Sequence, residues 1–374
     1  MHWLIPCLDL EHFGHILPVR RALLSMSQVP SLSKADKLLP SVKEWKKIVD
    51  PHTKPSTPRA TWQVVNSIGS YIALWVAMYF TLAVSYWLTF TIALLAGAIL
   101  VRVFIIFHDC GHGSFYKSRR ANNIIGFISG IFTFTPYSHW KWEHSIHHSA
   151  SGDLDRRGTG DVWTMTVDEY LGSSLGKRFI YRSMRNPFIL FIFAPLYLFI
   201  IRERFATPGA KPHFRRSVWA MNLAIGLLAV ALILIFGWLP YLLIQLTTIG
   251  VAAVSGVWLF YVQHQFEGVY WEREDDWNFT NAALEGSSFY KLPKVLQWFS
   301  GNIGFHHIHH LSSRIPNYNL EACHNSHEIF QNVEPLTFIK GFKCLTFRLW
   351  DEKERELVSF KRVKGRARIS SAAA

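Results

Sequence analysis

Two long stretches without a charged residue constrain this chain more than any other feature. Residues 60–101 and residues 217–266 contain no Asp, Glu, Lys or Arg. One helical span of a bilayer needs about 20 residues, so each stretch can hold two spans joined by a short turn. We predict spans near residues 64–83, 86–107, 218–236 and 240–262. The sequence therefore favours an all-α integral membrane fold with about four transmembrane helices in two hairpins.

The charged residues indicate on which side of the membrane the rest of the chain lies. The formal net charge is +13, and basic residues flank the apolar stretches, whereas the predicted turns near Ser85 and Gly237 carry no charge. Because Lys and Arg concentrate on the cytoplasmic side, we predict both hairpin tips outside and both termini in the cytoplasm. The chain is thus expected as a multi-pass protein of the cell membrane, with its basic face towards anionic lipid rather than nucleic acid.

The remaining segments complete the predicted architecture. Residues 1–59 are mixed and polar and are expected to form a loosely ordered cytosolic N-terminal arm, whereas residues 60–374 form one membrane domain. The apolar stretches 124–136 and 187–201 are too short, at about 1.5 Å per helical residue, to cross a core of about 30 Å. We expect them as interfacial helices. Residues 267–374 are predicted to form a cytosolic helical cap.

Histidines are grouped in a way that predicts metal binding. Two clusters have the spacing H-x-x-H-H, which places three imidazoles on one face of a helix. A third has the spacing H-x-x-x-H where the second predicted span ends, and a single histidine ends the fourth span on the same side. The nine candidate ligands are His108, His112, His144, His147, His148, His264, His306, His309 and His310. His307 lies between two of them and points away from their face.

Nine imidazoles are more than one metal ion needs. Zinc in proteins is normally satisfied by four ligands, so the set predicts two metals with expanded coordination and an open position. Imidazole suits Fe, Zn, Cu and Ni alike, which leaves the identity of the metal open at this point. Because the ligands are neutral, nearby carboxylates are expected to accept hydrogen bonds from their distal N–H groups. The candidates are Asp109, Glu143, Asp161, Glu267 and Glu285.

The cysteines and aromatic residues narrow the chemistry further. Only four cysteines occur and none forms a C-x-x-C pair, so neither a disulfide framework nor a thiolate metal site is predicted. Aromatic residues near the histidine clusters are typical of an apolar channel that leads in from the membrane. We expect that channel to be lined by Phe134, Tyr137, Trp140, Trp142, Trp298 and Phe305.

The three clusters, with their surroundings, resemble the histidine boxes of the integral-membrane fatty acid desaturase and hydroxylase superfamily. The resemblance rests on residues 107–115, 144–148, 152–161, 258–264 and 301–320 and covers roughly residues 64–364. The likeness is strongest to Gram-positive Δ5-type phospholipid desaturases. It implies two non-haem iron ions, held by the nine histidines, and O₂ as co-substrate. The implied reaction introduces a cis double bond into acyl chains of membrane lipids.

The resemblance also implies an electron donor, and it shows one position at which this chain differs from the family. Two electrons are needed per turnover, and a separate donor protein, ferredoxin or flavodoxin, is implied because the sequence shows no haem or iron–sulfur signature. In some family members, an asparagine holds a metal-bound water. It lies one helical turn before the histidine that corresponds to His264 in this chain. Phe260 occupies that position here, and Asn302 is a candidate substitute.

Three other functions remain open from the residues alone. A hydroxylase or ketolase of the same superfamily would share the histidine boxes and differ in its product. A zinc-dependent membrane hydrolase would need far fewer histidines. A metal or proton transporter would place ionisable residues at mid-bilayer depth, but Arg102 is the one charged residue inside a predicted span.

Overall fold

Helices account for most of the molecule, and the computed structural model describes residues 42–363 of the chain. Short π-helical segments at Val65–Gly69, Ile189–Phe193 and Tyr197–Ile201 and 3₁₀ turns at Asp50–Thr53, Arg202–Arg204 and Phe342–Thr346 adjoin some of the helices. Numbered in chain order, the α-helices are α1 (Val42–Val49), α2 (Thr57–Val64), α3 (Ser70–Leu82), α4 (Tyr86–His112), α5 (Arg119–Phe132), α6 (Tyr137–Ala150), α7 (Val167–Gly172), α8 (Leu175–Met184), α9 (Ala194–Leu196), α10 (Pro212–Phe236), α11 (Trp238–His264), α12 (Phe279–Leu284), α13 (Lys294–Phe299), α14 (His306–Leu311), α15 (Asn317–Asn325), α16 (Glu328–Gln331) and α17 (Phe338–Gly341).

Four helices within residues 42–363 are long and apolar enough to span a membrane. The first is continuous over Thr57–Leu82, through α2, a π-helical segment and α3, and the others are α4, α10 and α11. The predicted fold class is therefore confirmed. Both α4 and α11 continue past the predicted ends of their spans, as far as His112 and His264. This extension places the first and the fourth group of histidines on rigid helix ends rather than on loops.

Helix α4 lies at the centre of the helical bundle. It packs against α3, α5 and α11, and its residues from Ile99 to Gly111 are almost all buried. Gly97 lets α4 and α11 approach closely, because a Cβ atom at that position would lie 2.5 Å from Cγ1 of Val251. Small residues serve this purpose in membrane helices, where close van der Waals packing replaces the hydrophobic effect.

The two shorter apolar stretches form helices, as expected. Residues 124–136 lie in α5 and the turn that joins it to α6, where the Tyr137 hydroxyl donates a hydrogen bond to the carbonyl oxygen of Cys110 at 2.6 Å. Residues 187–201 lie in the irregular helix Ile189–Arg204, which is bent by 60° relative to α8. That bent pair has the length and composition of a fifth span, so its position in the interface stays a prediction.

The described part of the cap, residues 267–363, contains short strands as well as helices, and one of its sheets also includes a strand from outside the cap. In one sheet β1 (Met165–Thr166) pairs in parallel with β4 (Leu349–Asp351), which pairs antiparallel with β5 (Glu356–Val358). In the other, β2 (Phe289–Lys291) pairs in parallel with β3 (Pro335–Thr337). The predicted helical cap thus carries short strands beside its helices, and the sequence did not indicate these strands. Ladders of two or three residues that join distant segments leave no period-2 pattern to recognise.

The end of the predicted N-terminal arm packs against the cap. Trp45 of α1 is 5% exposed, and its Nε1 donates a hydrogen bond to the Thr280 hydroxyl at 3.3 Å. Arg59 donates a hydrogen bond to Oδ1 of Asn319 at 2.7 Å. The expectation of a loosely ordered arm therefore does not hold for residues 42–59. Residues 1–41 lie outside the described residues, and the domain boundary at residue 59 stays a prediction.

Candidate metal centre

Four helices bring the nine predicted histidines together. The end of α4, the second half of α6, the end of α11 and the short helix α14 converge between the spans and the cap. Six of the nine rings are buried, and the other three are half-buried: His112, His144 and His148. Because three of the four helices also pack in the bundle, the ligands lie on rigid elements.

The nitrogen atoms of these histidines form two groups. In the first, one ring nitrogen from each member lies within 4.8 Å of those of all the others, and the members are His108, His112, His144, His148 and His309. In the second, the same limit joins His147, His264 and His310. His306 lies beside the second group, with its Nε2 atom 3.0 Å from Nε2 of His264. The nine residues thus divide into five and four.

Distances within the groups fit ligands that share a metal ion. The Nε2 atom of His148 lies 3.1 Å from Nε2 of His144 and 3.0 Å from Nε2 of His309. Two nitrogens bound to one metal at about 2.1 Å lie roughly 3–3.4 Å apart. Among the nine candidate ligands, five buried ring nitrogens find no hydrogen-bond partner: Nε2 of His112, His147 and His310, and Nδ1 of His306 and His309. For His112, His147 and His310, an Nε2 lone pair directed at a metal would satisfy the atom.

Five candidate ligands outside the spans lie where burial favours the neutral imidazole. Burial, reinforced by neighbouring imidazoles, lowers the pKa of His144, His148, His309 and His310 well below the ordinary value of 6.5. The same causes lower the pKa of His306. A neutral imidazole offers a lone pair, whereas a protonated one repels a cation. These five imidazoles can therefore bind metal without first releasing protons.

Two of the predicted carboxylates orient candidate ligand histidines. Oδ1 of Asp109 lies 2.9 Å from Nδ1 of His108, and Oδ1 of Asp161 lies 2.7 Å from Nδ1 of His147. Each contact fixes the proton on Nδ1 and leaves Nε2 to face the centre. The other oxygen of Asp109 accepts hydrogen bonds from the backbone N–H of Asn317 at 2.6 Å and from its side-chain amide at 2.8 Å.

Asn317 is a site residue that the sequence did not indicate. It follows Pro316 and begins α15, 208 residues beyond Asp109, within the stretch 301–320 that carries the family resemblance, but no role was predicted for it. It also accepts a hydrogen bond at its carbonyl oxygen from the side chain of Asn302, at 3.1 Å. The only possible signal was long-range pairing, which a single sequence does not contain.

The other predicted carboxylates have different roles. Glu143 accepts hydrogen bonds from Arg202 at 3.3 Å and from Thr207. The other oxygen of Glu143, Oε2, lies 3.6 Å from Nδ1 of His139, which is not one of the nine candidate ligands. Glu267 is exposed and pairs with Lys343 at 2.6 Å, and Glu285 lies at the surface. The expectation for Glu143 and Glu267 is therefore wrong.

Two residues near the third histidine cluster lie in the cap rather than at the centre. His307 approaches Nδ1 of His324 with its Nε2 atom at 3.2 Å, and burial, followed by the influence of His324, lowers the pKa of His307 to about 3. Asn302 accepts a hydrogen bond from Gln297 at 3.2 Å and donates one to Asn317. Both ends of its amide are therefore occupied, so the suggestion that Asn302 holds a metal-bound water is not supported.

An apolar cavity of about 260 Å³ leads to the histidines from among the spans. It reaches His108, His144 and His306, and its walls come mainly from α4, α11 and the helix Ile189–Arg204. Phe260, the residue that departs from the family pattern, also lines it. Trp140 covers one side of the site by stacking on His144, with ring centroids 4.3 Å apart.

Of the six aromatic residues expected to line this channel, Trp140 does so. Trp142 stacks on Phe214, Trp298 lies beneath Arg102, and Phe305 stacks on Phe289. Phe134 and Tyr137 pack between helices. Closeness in sequence to a histidine was a poor guide, because successive residues of a helix point in different directions.

A second cavity, of about 720 Å³, reaches the histidines from another side. We call it the polar vestibule. It borders His112, His148 and His310, none of which lines the apolar cavity. Its other lining residues are Trp45, Lys46, Lys47, Val49, Asp50 and Thr53, then Ser145, Ser149 and Phe279, and finally Leu311, Ser312, Ser313 and Arg314.

These features define a class of protein: a helical membrane protein with a multi-histidine centre at the head of an apolar cavity. A comparison with known families agrees with the class and makes it specific. The model of the fatty acid desaturase family matches residues 85–336. The chain belongs to this family and is therefore an oxidoreductase, a fatty acid desaturase, which confirms the resemblance found in the sequence.

Individual relatives support the assignment. A fatty acid desaturase of Bacillus subtilis is 48% identical over 322 residues, which cover 86% of this chain and 92% of the relative. Two proteins of Synechocystis are more distant. An sn-1 acyl-lipid omega-3 desaturase (ferredoxin) is 28% identical over 62% of this chain and 64% of its own length. An sn-1 oleoyl-lipid 12-desaturase is 26% identical over 66% of this chain and 69% of its own length.

Proposed function

We propose that this desaturase uses O₂ and two electrons from a separate donor protein to introduce a cis double bond into acyl chains of membrane phospholipids. In the balanced reaction a –CH₂–CH₂– unit, O₂, two electrons and two protons give –CH=CH– and two molecules of water. The single observation that carries the proposal is the convergence of nine histidines at the head of an apolar cavity among the spans.

The donor set fits two metal ions, which we propose to be iron. One ion would be held by His108, His112, His144, His148 and His309, and the other by His147, His264, His306 and His310. Bound iron would supply the activation of O₂ and the oxidising power to remove two hydrogens from unactivated carbons. Asp109 and Asp161 orient His108 and His147, and Trp140 keeps the ring of His144 in place.

The apolar cavity supports an acyl substrate that arrives from the bilayer. Its walls at Leu100, Ile249 and Ala253 belong to the membrane spans, which gives a hydrocarbon chain a path to the histidines without passing through water. Exclusion of water also protects a strongly oxidising centre from side reactions. The relatives named as acting on acyl-lipid and oleoyl-lipid support an intact lipid as the substrate.

A soluble electron donor, ferredoxin or flavodoxin, completes the proposal. The three cysteines in the described residues, Cys110, Cys323 and Cys344, are all buried and unpaired, and none of the three contributes to a histidine group. One relative carries ferredoxin in its name. We place the histidines, the cap and both termini on the cytoplasmic side of the cell membrane, where such donors are found, on the basis of the positive-inside rule.

Expression in a host that lacks unsaturated lipids tests the proposal. We expect new double bonds in membrane phospholipids, located by mass spectrometry of derivatised acyl chains, and two equivalents of iron in the purified protein. A variant with both His147 and His309 replaced by alanine is the matched control and should give neither. Hydroxylated or ketone products from the wild-type protein would contradict desaturation. Zinc in place of iron would contradict the proposed identity of the metal.

A further inference from the structure

The polar vestibule reaches the metal centre without crossing the apolar cavity. The apolar cavity borders His108, His144 and His306, whereas the vestibule borders His112, His148 and His310. These two sets share no residue, so the two cavities meet the centre from different sides. A substrate in the first cavity therefore leaves the second open to another partner.

The lining of the vestibule is more polar than that of the apolar cavity, and its charged residues are mainly positive. Four serines line it, Ser145 and Ser149 of α6 together with Ser312 and Ser313, and no comparable set of serines lines the apolar cavity. Its charged residues are Lys46, Lys47, Arg314 and Asp50, an excess of two positive charges. Lys141, exposed one helical turn before Ser145, adds a further positive charge nearby.

The positive charges of the vestibule are available for a partner. Lys46, Lys47 and Arg314 are exposed, and they take part in none of the ion pairs found among residues 42–363. Elsewhere on the cap, exposed Lys294 and Lys343 are paired with Glu321 and Glu267. Unpaired like charges around one opening create a local potential that attracts a partner of opposite sign.

Helix α1 holds two of these charges in a fixed position. Its apolar residues Trp45 and Val49 are buried against the cap, and Trp45 also donates a hydrogen bond to Thr280. Lys46 and Lys47 therefore lie on a helix that is packed against the cap, not on a flexible segment. An anchored charge loses less conformational entropy when a partner binds than a charge on a flexible segment does.

We propose that the rim of the polar vestibule is the docking surface for an acidic, soluble one-electron carrier protein, and that electrons enter the centre past His112, His148 and His310. This inference rests on the proposed function, which requires two electrons per double bond. Two reduced carrier molecules dock in succession, and each leaves oxidised by one electron. The two electrons, with O₂ and two protons, balance the two hydrogens removed from the acyl chain and the two molecules of water formed.

Direct binding tests the docking surface. The purified protein is placed in nanodiscs of zwitterionic lipid, and the binding of an oxidised ferredoxin and of a flavodoxin is measured at low ionic strength by biolayer interferometry. We expect at least one carrier to bind the wild-type protein and to bind more weakly as salt is added. In the triple variant K46E/K47E/R314E the association rate should fall by about tenfold or more.

A matched control keeps the total charge change the same. The variant K177E/K353E/K361E reverses three exposed lysines that do not line the vestibule. Lys177 is in α8, Lys353 lies between β4 and β5, and Lys361 follows β5. It should bind the carrier as the wild type does. The milder variant K46Q/K47Q/R314Q serves if the charge reversals impair folding, which metal content and gel filtration report. Equal binding by the wild type and either vestibule variant, or no binding of either carrier to the wild type, would overturn the proposal.

Turnover with a small reductant separates this proposal from the proposed function. With reduced methyl viologen in place of a carrier protein, the vestibule variants should form double bonds at the wild-type rate, whereas turnover driven by the carrier should fall with its binding. If the wild type forms no double bonds under either condition, the proposed function fails, while the binding result still decides the docking surface. If carrier-driven turnover is unchanged in the variants, electrons enter elsewhere and the docking proposal is wrong.

Discussion

At the scale of single residues, the centre depends on how each imidazole is oriented. His108 and His147 each hold a proton on Nδ1 because a carboxylate accepts it, and this leaves Nε2 for the centre. Asp109 is itself held by two hydrogen bonds from Asn317. The chain of contacts runs from α15 through α4 to the centre, so a residue that touches no metal still determines where a ligand points.

Single substitutions at the centre should separate ligands from neighbours. We expect His144→Ala, His147→Ala or His309→Ala to abolish double-bond formation, with loss of bound metal and normal insertion into the membrane. His307→Ala, which changes the pair with His324 in the cap, should retain partial activity. Lipid analysis, metal analysis and membrane fractionation measure the three properties. Near-normal activity in one of the first three variants would remove that residue from the ligand set.

The role of Asp161 can be tested without changing a ligand. Asp161→Asn keeps the shape of the side chain but weakens acceptance of the proton on Nδ1 of His147, so the affinity for metal should fall by about 10- to 100-fold. Titration of metal-depleted protein measures this change. Glu267→Gln is the control, because Glu267 is exposed and pairs with Lys343. A similar loss in both variants would show that Asp161 acts through overall stability.

The residue pattern predicted the local part of the site and grouped distant histidines in one set, but it did not predict which distant residues touch. The spacing H-x-x-H-H fixes which rings share a helix face, because helical geometry depends on nearby residues alone. Which faces meet depends on packing between helices far apart in sequence. The contacts between His264 and His306 and between Asp109 and Asn317 therefore became visible only in the fold.

At the scale of helices, the close crossing of α4 and α11 is the feature most sensitive to a small change. These two helices carry His108, His112 and His264 at their ends, and they touch where Gly97 faces Val251. The hydrophobicity of the sequence predicted both helices, because a bilayer allows few alternatives to an apolar helix of about 20 residues. It did not predict the crossing, because Gly97 lies in a run of small residues and nothing in that run shows which helix Gly97 faces.

A larger side chain at Gly97 should destabilise the bundle. Gly97→Val places new atoms within the space of Val251, and overpacking of this kind costs about 1–3 kcal/mol. Thermal inactivation in detergent should occur at lower temperature than in the wild type, with loss of metal at the same temperature. Gly226→Val on α10 is the matched control, since Gly226 is exposed and nothing lies within 4 Å of a Cβ there. Equal stability of the two variants would contradict the close crossing.

At the scale of the whole molecule, the depth of the apolar cavity determines which chains fit. Ala253 lines the cavity on α11, eleven residues before His264, which corresponds to about 16 Å along the helix. The position of the double bond depends on how far a chain extends beyond the centre. The sequence could not give this position, because the cavity is formed by side chains from several helices that meet only after folding.

Filling the cavity at Ala253 should therefore change the products. We expect Ala253→Leu to lower desaturation of long acyl chains and to shift the products towards shorter chains, as measured by mass spectrometry of phospholipids. Ala231→Leu on the exposed face of α10 is the matched control and should leave the product profile unchanged. The same profile from both variants would show that the chain does not extend past Ala253.

The position of the apolar cavity among the spans changes what substrate concentration means for this enzyme. A lipid that enters and leaves between α4, α11 and the helix Ile189–Arg204 never passes through water. Encounters then take place by lateral diffusion in two dimensions, and the relevant quantity is the mole fraction of the lipid in the membrane. Adding inert lipid should slow turnover at constant bulk concentration, and rates compared between detergent micelles and bilayers should be normalised to surface density.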